Sequence, residues 1–366
     1  LCEKSFEVTQ DEIAFLKKVS PIISEKKYQI PVPDICPDCR LQIRTSHRNE
    51  QFLYHTKSAK SGEALITLYA PDSPWNRDVK IYSYKEWWSD DWDALEYGRY
   101  FDFSRNFFEQ FDELRRAMPL VNLMQVDNEN SPYTTGTGYC KNCYLISCSE
   151  NCEDCYYGKL MQKCRDCMDS DYAYESELLY DCFYTKKCYN CVGLSYGQNC
   201  TDCYFSENLK GCSNCFLCTN LSNKQYYLMN QPMSKEQWHE GVKKFLGSNE
   251  NVRRAKEILA DLRGKRVHKY ATIINSENST GDFLANCKNC TDSYDVNDSE
   301  DCKFITVGVN IKDCFDCSNM YLKPELCYQT LGTINAYHAL FSLYIFNSRD
   351  VMYCQFCYNS SNLFGC

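Results

Sequence analysis

The residues best equipped for chemistry are cysteines arranged as CxxC pairs. Pairs begin at Cys140, Cys152, Cys164, Cys188, Cys200 and Cys212, each 12 residues after the last except for one step of 24. The skipped register holds Ser176 to Leu179. A second block keeps the period through Cys287 with Cys290, then Cys302 and Cys314, with Leu326 next; Cys354 and Cys366 again stand 12 apart. Thiols at such spacing can bind a soft metal, form disulfides, exchange electrons or pack as small apolar groups. The ladder read from this spacing comprises Cys140, Cys143, Cys152, Cys155, Cys164, Cys167, Cys188, Cys191, Cys200, Cys203, Cys212, Cys215, Cys287, Cys290, Cys302 and Cys314.

Four uses of this ladder stay open. Packing leads, because Ser176, Leu179, Ser299 and Ile311 occupy cysteine registers and no Leu or Ile can ligate a metal. Structural zinc is the second: CxxC-x8-CxxC could supply four thiolates at about 2.3 Å from one ion, although the skipped register breaks the pairing unless Cys182 substitutes. Disulfides are the third, since stacked strands put Cα atoms about 4.8 Å apart, within bridging range. They would demand an oxidising compartment. Redox catalysis or an Fe–S cluster comes last, because a catalytic CxxC stands once, at a helix N-terminus.

A period of 12 is too short for helix-pair repeats and suits one small coil of a β-solenoid. So narrow a coil needs small inward residues. The residue before the second position of each pair is Asn142, Asp154, Asp166, Leu178, Asn190, Asp202 and Asn214, all but Leu178 of types that tolerate left-handed backbone and make corners. The residue after it is large: Tyr144, Tyr156, Met168, Tyr180, Val192, Tyr204 and Phe216, a ladder along one face. No Thr-x-Thr ladder runs beside it, so an ice-binding solenoid is set aside. The register is lost through 328–353.

Three further cysteines, Cys2, Cys36 and Cys39, lie outside the arrays. Around them run Phe6, Val8, Thr9, Glu12 and Phe15, then Cys36-Pro-Asp-Cys39-Arg40. This segment resembles the probable zinc-ribbon family, with its CxxCG-x-x-F-x-[IV]-T-x-x-[DE]-x-x-F core and closing C-P-x-C-R. The resemblance implies Cys2, Cys36 and Cys39 as ligands of one structural zinc, with the fourth ligand expected just before Leu1. Zinc would then supply folding energy to a segment with little core. The chain as a whole is similar to a group of Cys-rich CxxC-repeat proteins of uncultured small-genome bacteria. There a zinc-ribbon segment, a WWSD-x-WD segment and CxxC repeats follow in this order. Where that group carries a second Cys-pair site this chain has His55, Ser58, Ser61 and Ser83.

The elements that must hold these groups divide the chain at 1–45 (zinc-ribbon-like module), 46–135 (mixed connecting domain), 136–222 (first array), 223–272 (insert) and 273–366 (second array). Within 46–135, Trp87, Trp88 and Trp92 read as core of a small domain more readily than as a ligand platform. A helix is expected after Ser104, with Phe107, Phe108, Phe111 and Leu114 on one face and Pro119 beyond. The insert reads as an αα-hairpin: Ser234 with Gln237 forms a capping box for a helix through Leu246, and Ser248 caps a second ending at Gly264. Arg253, Arg254, Lys256, Arg263, Lys265, Arg266 and Lys269 concentrate positive charge there. A solvated face explains them; an acidic partner or RNA over 253–269 is the sharper alternative.

The 366 residues carry 27 cysteines and a net charge of −9, which argues against a generally basic nucleic-acid surface. Mean hydropathy is −0.53, and no apolar run approaches the roughly 18 residues of a membrane span. His47, His55, His239, His268 and His338 sit in no catalytic motif, and no phosphate loop, HExxH or GxSxG occurs. Asn278-Ser-Thr280 matches a glycosylation acceptor, a common chance pattern. The expectation is a mostly-β protein in which a small zinc-ribbon module precedes a Cys-ladder β-solenoid in two arrays, interrupted by an αα-hairpin. It is read as a non-enzymatic structural or interaction protein that meets a protein partner or self-associates. The alternatives are a thiol-based metal-handling or redox protein and an RNA- or ribosome-associated zinc-binding factor. Compartment follows the thiols: cytoplasmic if reduced, cell surface or extracellular if disulfide-linked.

Overall fold

The computed structural model describes residues 2–46, 49, 51–174, 183–186, 201–309, 318–320, 328, 331–334 and 337–366. Cys188, Cys191, Cys200 and Cys314 of the expected ladder lie outside the described residues, as do Ser176 to Leu179, Ile311 and Leu326. Contacts gather the chain into two units, one of residues 1–48 with 269–366 and one of 49–268. Among the described residues strands outweigh helices, about 30% against 22%, and no sheet closes on itself. The helices are thus a substantial part of the fold.

In the first unit, α1 (Gln10–Val19) begins at a complete capping box, Thr9 with Glu12. A short antiparallel pair, Ile22 with Lys27 and Ile23 with Lys26, leads away from it. Next, α2 (Pro37–Thr45) starts with Cys36 as N-cap and proline at its first position, where the missing N–H costs no bond. The rest of the unit is parallel strands. Gly281–Ala285 pairs with Ser293–Asn297, which pairs with Thr306–Val309, each at a register of 12 residues. Gly281 is required: at φ +132° a Cβ would lie 1.8 Å from the Ser293 carbonyl oxygen of the next repeat.

The register that sequence could not follow resumes plainly. Leu331–Ile334, Leu343–Phe346 and Gln355–Tyr358 pair in one sheet, and Tyr337–Leu340, Arg349–Met352 and Ser361–Phe364 in a second. Ala339, Ile345 and Val351 occupy the core there with Cys354 and Cys357. The cysteine signal had vanished because other apolar residues fill the same slots.

In the second unit, a hairpin of Tyr54–Lys57 with Ala64–Thr67 precedes α3 (Tyr84–Trp87) and α4 (Phe107–Ala117). The N-cap of α4 is Asn106, whose side chain accepts from the Phe108 amide, rather than the expected Ser104. Ser104 instead bonds Asp102. Phe107 and Phe111 stack at 5.8 Å while Phe108 faces solvent, as one-turn spacing dictates. The tryptophans pack on one another, Trp87 with Trp88 at 4.8 Å and with Trp92 at 5.8 Å. The Trp87 ring N–H donates to the Pro119 carbonyl and that of Trp92 to the Trp87 carbonyl.

Parallel strands Tyr144–Ser147, Tyr156–Lys159, Asp171–Tyr174 and Phe183–Lys186 follow, then Thr201–Tyr204, Ser213–Phe216 and Gln225–Leu228. Tyr144 pairs with Tyr156 and Ser213 with Gln225, so the cysteine period is the pairing register. Helices α5 (Lys235–Leu246) and α6 (Asn249–Lys265) form the hairpin with Ser234 and Ser248 as N-caps. Gly264 does not end α6, which runs one residue further.

The repeat has a finer grain than its cysteines. Positive φ recurs every third residue, at Tyr139, Asn142, Leu145, Cys148, Asn151, Asp154, Tyr157 and onward. The expected Asx corner is one of four in each repeat. Between corners one residue in three points inward: Cys140, Cys143, Ile146, Ser149, Cys152, Cys155, then Met161, Cys164, Cys167, Ser170 and Ala173, all buried. Left-handed backbone is costly for residues other than Gly, Asn and Asp. Amide ladders offset part of that cost: Asn130 donates to Asn142 at 2.9 Å and Asn142 to Asp154 at 3.1 Å.

The large outward residues change role along the first array. Tyr144, Tyr156 and Met168 are exposed. Phe216 is buried with Phe205 and Leu217 beneath Trp238, Val242, Ala255 and Leu259 of the hairpin. The hairpin therefore covers one end of the aromatic face, burying apolar surface at about 25 cal/mol per Å².

Candidate metal centre

The three cysteines outside the arrays meet. Cys2 arrives on extended chain, Cys36 caps α2, and Cys39 lies in its first turn. The Cys2 sulfur is 3.4 Å from that of Cys36 and 3.3 Å from that of Cys39. All three sulfurs lie within 4.8 Å of one another. Among the described residues this is the one group of three or more His, Cys, Asp or Glu with metal-binding geometry. A tetrahedral ion with M–S bonds of about 2.3 Å spaces its sulfurs by about 3.8 Å, so the trio fits after widening by a few tenths of an ångström.

The local structure favours thiolate. The Cys2 amide points at the Cys39 sulfur, 3.4 Å away, and α2 directs its positive N-terminus at Cys36 and Cys39. The Lys4 amide, then contacts to the Cys39 and Cys36 sulfurs, hold the exposed Cys2 thiol down at about 7. Cys39 moves the other way. The Cys2 amide lowers it, but hydrogen bonding with the Cys2 and Cys36 sulfurs prevails and pushes it up. A soft cation would bind the three sulfurs as thiolates and release their protons. Arg40, buried behind the site, donates to the Ile35 carbonyl and lies 5.9 Å from the Phe6 ring centre. Cys36 and Cys39 are buried while Cys2 is exposed.

The ladder cysteines behave differently. Cys140, Cys143, Cys152, Cys155, Cys164, Cys167, Cys212, Cys215, Cys287, Cys290 and Cys302 are all buried. The backbone of Cys203 pairs in register with Cys215. Buried too, and absent from the expected ladder, are Cys218, Cys354 and Cys357. Each rung donates to the carbonyl two residues back, as Cys140 to Gly138 at 3.3 Å and Cys155 to Glu153 at 3.3 Å. Serine in a cysteine register does the same: Ser342, 12 residues before Cys354, donates to the Leu340 carbonyl at 2.9 Å and accepts from the Cys354 amide at 3.2 Å. A thiol and a hydroxyl are thus interchangeable here. Hydrogen bonding among neighbouring thiols splits the rungs: Cys143, Cys152 and Cys167 are pushed well above the usual thiol range, while Cys140, at about 4, and Cys155 are held below it.

At the positions of the second expected Cys pair, Ser58 donates to the Glu86 carboxylate at 2.6 Å and Ser83 at 2.9 Å, with the Ser83 amide at 2.8 Å. Partial burial works against ionisation, yet hydrogen bonds from Ser58, Ser61 and Ser83 hold Glu86 down at about 2. His55 lies apart, on the hairpin strand Tyr54–Lys57.

The basic segment is partly spoken for. Arg263 and Arg266 both grip Glu207, Lys265 pairs with Asp261 at 2.6 Å, and Arg253 and Arg254 face solvent. No described helix is long and apolar enough to cross a membrane. Compared with known proteins, the chain matches no family model and no curated protein.

Proposed function

We propose that this is a non-enzymatic structural or interaction protein, with a zinc-ribbon-like module at residues 2–45 and two β-solenoid arrays of 12-residue coils. The carrying observation is the contrast between its two kinds of cysteine. Three converge at metal-binding distance, with Cys2 open to solvent. The rungs are sequestered, hydrogen-bonded and replaceable by serine, as at Ser299 and Ser342. Zinc fits the first kind, because three thiolates suit a borderline-soft ion and its site would stabilise a segment with little core. Packing fits the second kind. Parallel pairing at a 12-residue register through most of the described strands supports the solenoid reading, and exposed Tyr144, Tyr156 and Met168 support an extended contact face for a protein partner or a second copy.

Metal content and free-thiol count on one sample test this reading. One zinc per chain, lost when Cys36 and Cys39 become serine, and rung thiols unreactive until denaturation are expected. Several metals per chain would replace it with a metal-handling protein.

A further inference from the structure

We infer that residues 2–39 form a metal-held latch over one flank of the second array, so that metal occupancy decides whether that flank is covered. This rests on the metal reading above and adds a consequence to it.

The module does not stand alone. Leu16, Val19 and Ile30 bury against Tyr328 and Leu340, with Phe15, Phe341 and Met352 at the margin. Leu16 is 1% exposed, Tyr328 3% and Leu340 3%, so each side hides the other. A polar clip adds direction. Lys303 reaches Thr9 Oγ1 at 3.2 Å and Glu12 Oε1 at 3.7 Å. Those two residues form the capping box that starts α1, Thr9 N donating to Glu12 Oε2 at 2.6 Å and Glu12 N to Thr9 Oγ1 at 3.3 Å. Lys303 therefore holds α1 only while its first turn is formed.

The topology ties this contact to the metal site. Cys2 and Cys36 are 34 residues apart and their sulfurs touch. Every module residue in the latch, from Thr9 to Ile30, lies inside the loop those sulfurs close. A ten-residue helix is too short to persist by itself. Closing the loop through an ion removes the chain entropy that opposes docking. Opening it leaves α1 tethered at one end and the apolar flank at Tyr328, Leu340, Phe341 and Met352 facing water.

Hydrogen exchange on the full chain, read by mass spectrometry with zinc and with a strong chelator, tests the latch. Chelation is expected to speed exchange at least tenfold in peptides over 9–30 and 337–352, reversibly on adding Zn²⁺, with 140–167 unchanged. With zinc present, Leu16→Asp should give the fast pattern over 337–352 while retaining one metal per chain. Lys303→Ala, a milder change, should loosen 9–20 with the metal kept, and serves if the Leu16 variant does not fold. A chain that binds one zinc but whose 337–352 exchange ignores chelation overturns the latch and leaves the metal reading standing. A chain that takes no metal at Cys2, Cys36 and Cys39 overturns both.

Discussion

Arg266 Nη2 lies 2.7 Å from the Glu207 carboxylate Oε1, the two residues 59 apart in sequence and both largely shielded from water. Arg263 Nε takes the second oxygen at 2.6 Å. One carboxylate on the first array is thus forked between two arginines at the end of α6, and this pins the helical hairpin to the array it covers.

Removing one side of such a cluster strands buried charge, which costs more than the intact pair contributes. Glu207→Gln is expected to lower unfolding free energy by about 2–4 kcal/mol, read by urea denaturation. The loss should be accompanied by faster exchange along α6. A change below about 0.5 kcal/mol, the scale of an exposed pair, would show that the hairpin is held by Trp238, Val242 and Leu259 alone.

The rungs predict an asymmetry between two substitutions. Cys155→Ser keeps a donor for the Glu153 carbonyl and should cost no more than about 1.5 kcal/mol. Cys155→Leu adds volume to a fully buried site and should cost about 3 kcal/mol or prevent folding. Equal costs, measured by chemical denaturation, would mean that neither the hydrogen bond nor the narrowness of the repeat matters.

Asp295 has its carboxyl pushed up to about 6 by burial first and then by the Asp282 charge. The folded state therefore prefers the protonated acid. This contribution is fully present below the unfolded value of about 4 and is lost as pH rises through about 6. Residues 269–366 should grow less stable between pH 4 and 7 by on the order of 2 kcal/mol from this group. Asp295→Asn should flatten that slope and raise the melting temperature at pH 7, checked by thermal denaturation across pH.

Glu86 has the opposite sign. Held down at about 2 by its serine donors despite partial burial, it stabilises the fold above the unfolded value near 4.3. That contribution disappears as pH falls through about 2. Glu86→Gln should cost roughly 2 kcal/mol at pH 7, and the difference from the parent should shrink steadily below pH 4. An unchanged gap at pH 2.5 would place the loss in packing rather than in the carboxylate.

Much of the local structure was legible before any coordinates. The spacing of Cys140, Cys152 and Cys164 is the pairing register of the strands, and Ser234, Gln237 and Ser248 mark helix starts, because a repeat and a cap are written in residues adjacent in sequence. Other features were not. Ile146 and Ile345 fill the registers of Cys218 and Cys357, where a change of chemical type hides a shared position, and Met161 and Ala173 fill an inward row that carries no cysteine. Ser104 gave way to Asn106 because two suitable caps stood two residues apart and only the surrounding turn could choose.

What the sequence by itself determined is the period, the corners and the two classes of cysteine. These depend on short-range conformational preference and on small side chains that suit a narrow repeat. Tertiary structure alone decided that Glu207 anchors α6 and that the cap of α1 is held by Lys303, 294 residues away from Thr9. Such contacts depend on complementary shape and charge between surfaces that exist only once each repeat has stacked on the next, and no local pattern encodes which surface will be the neighbour.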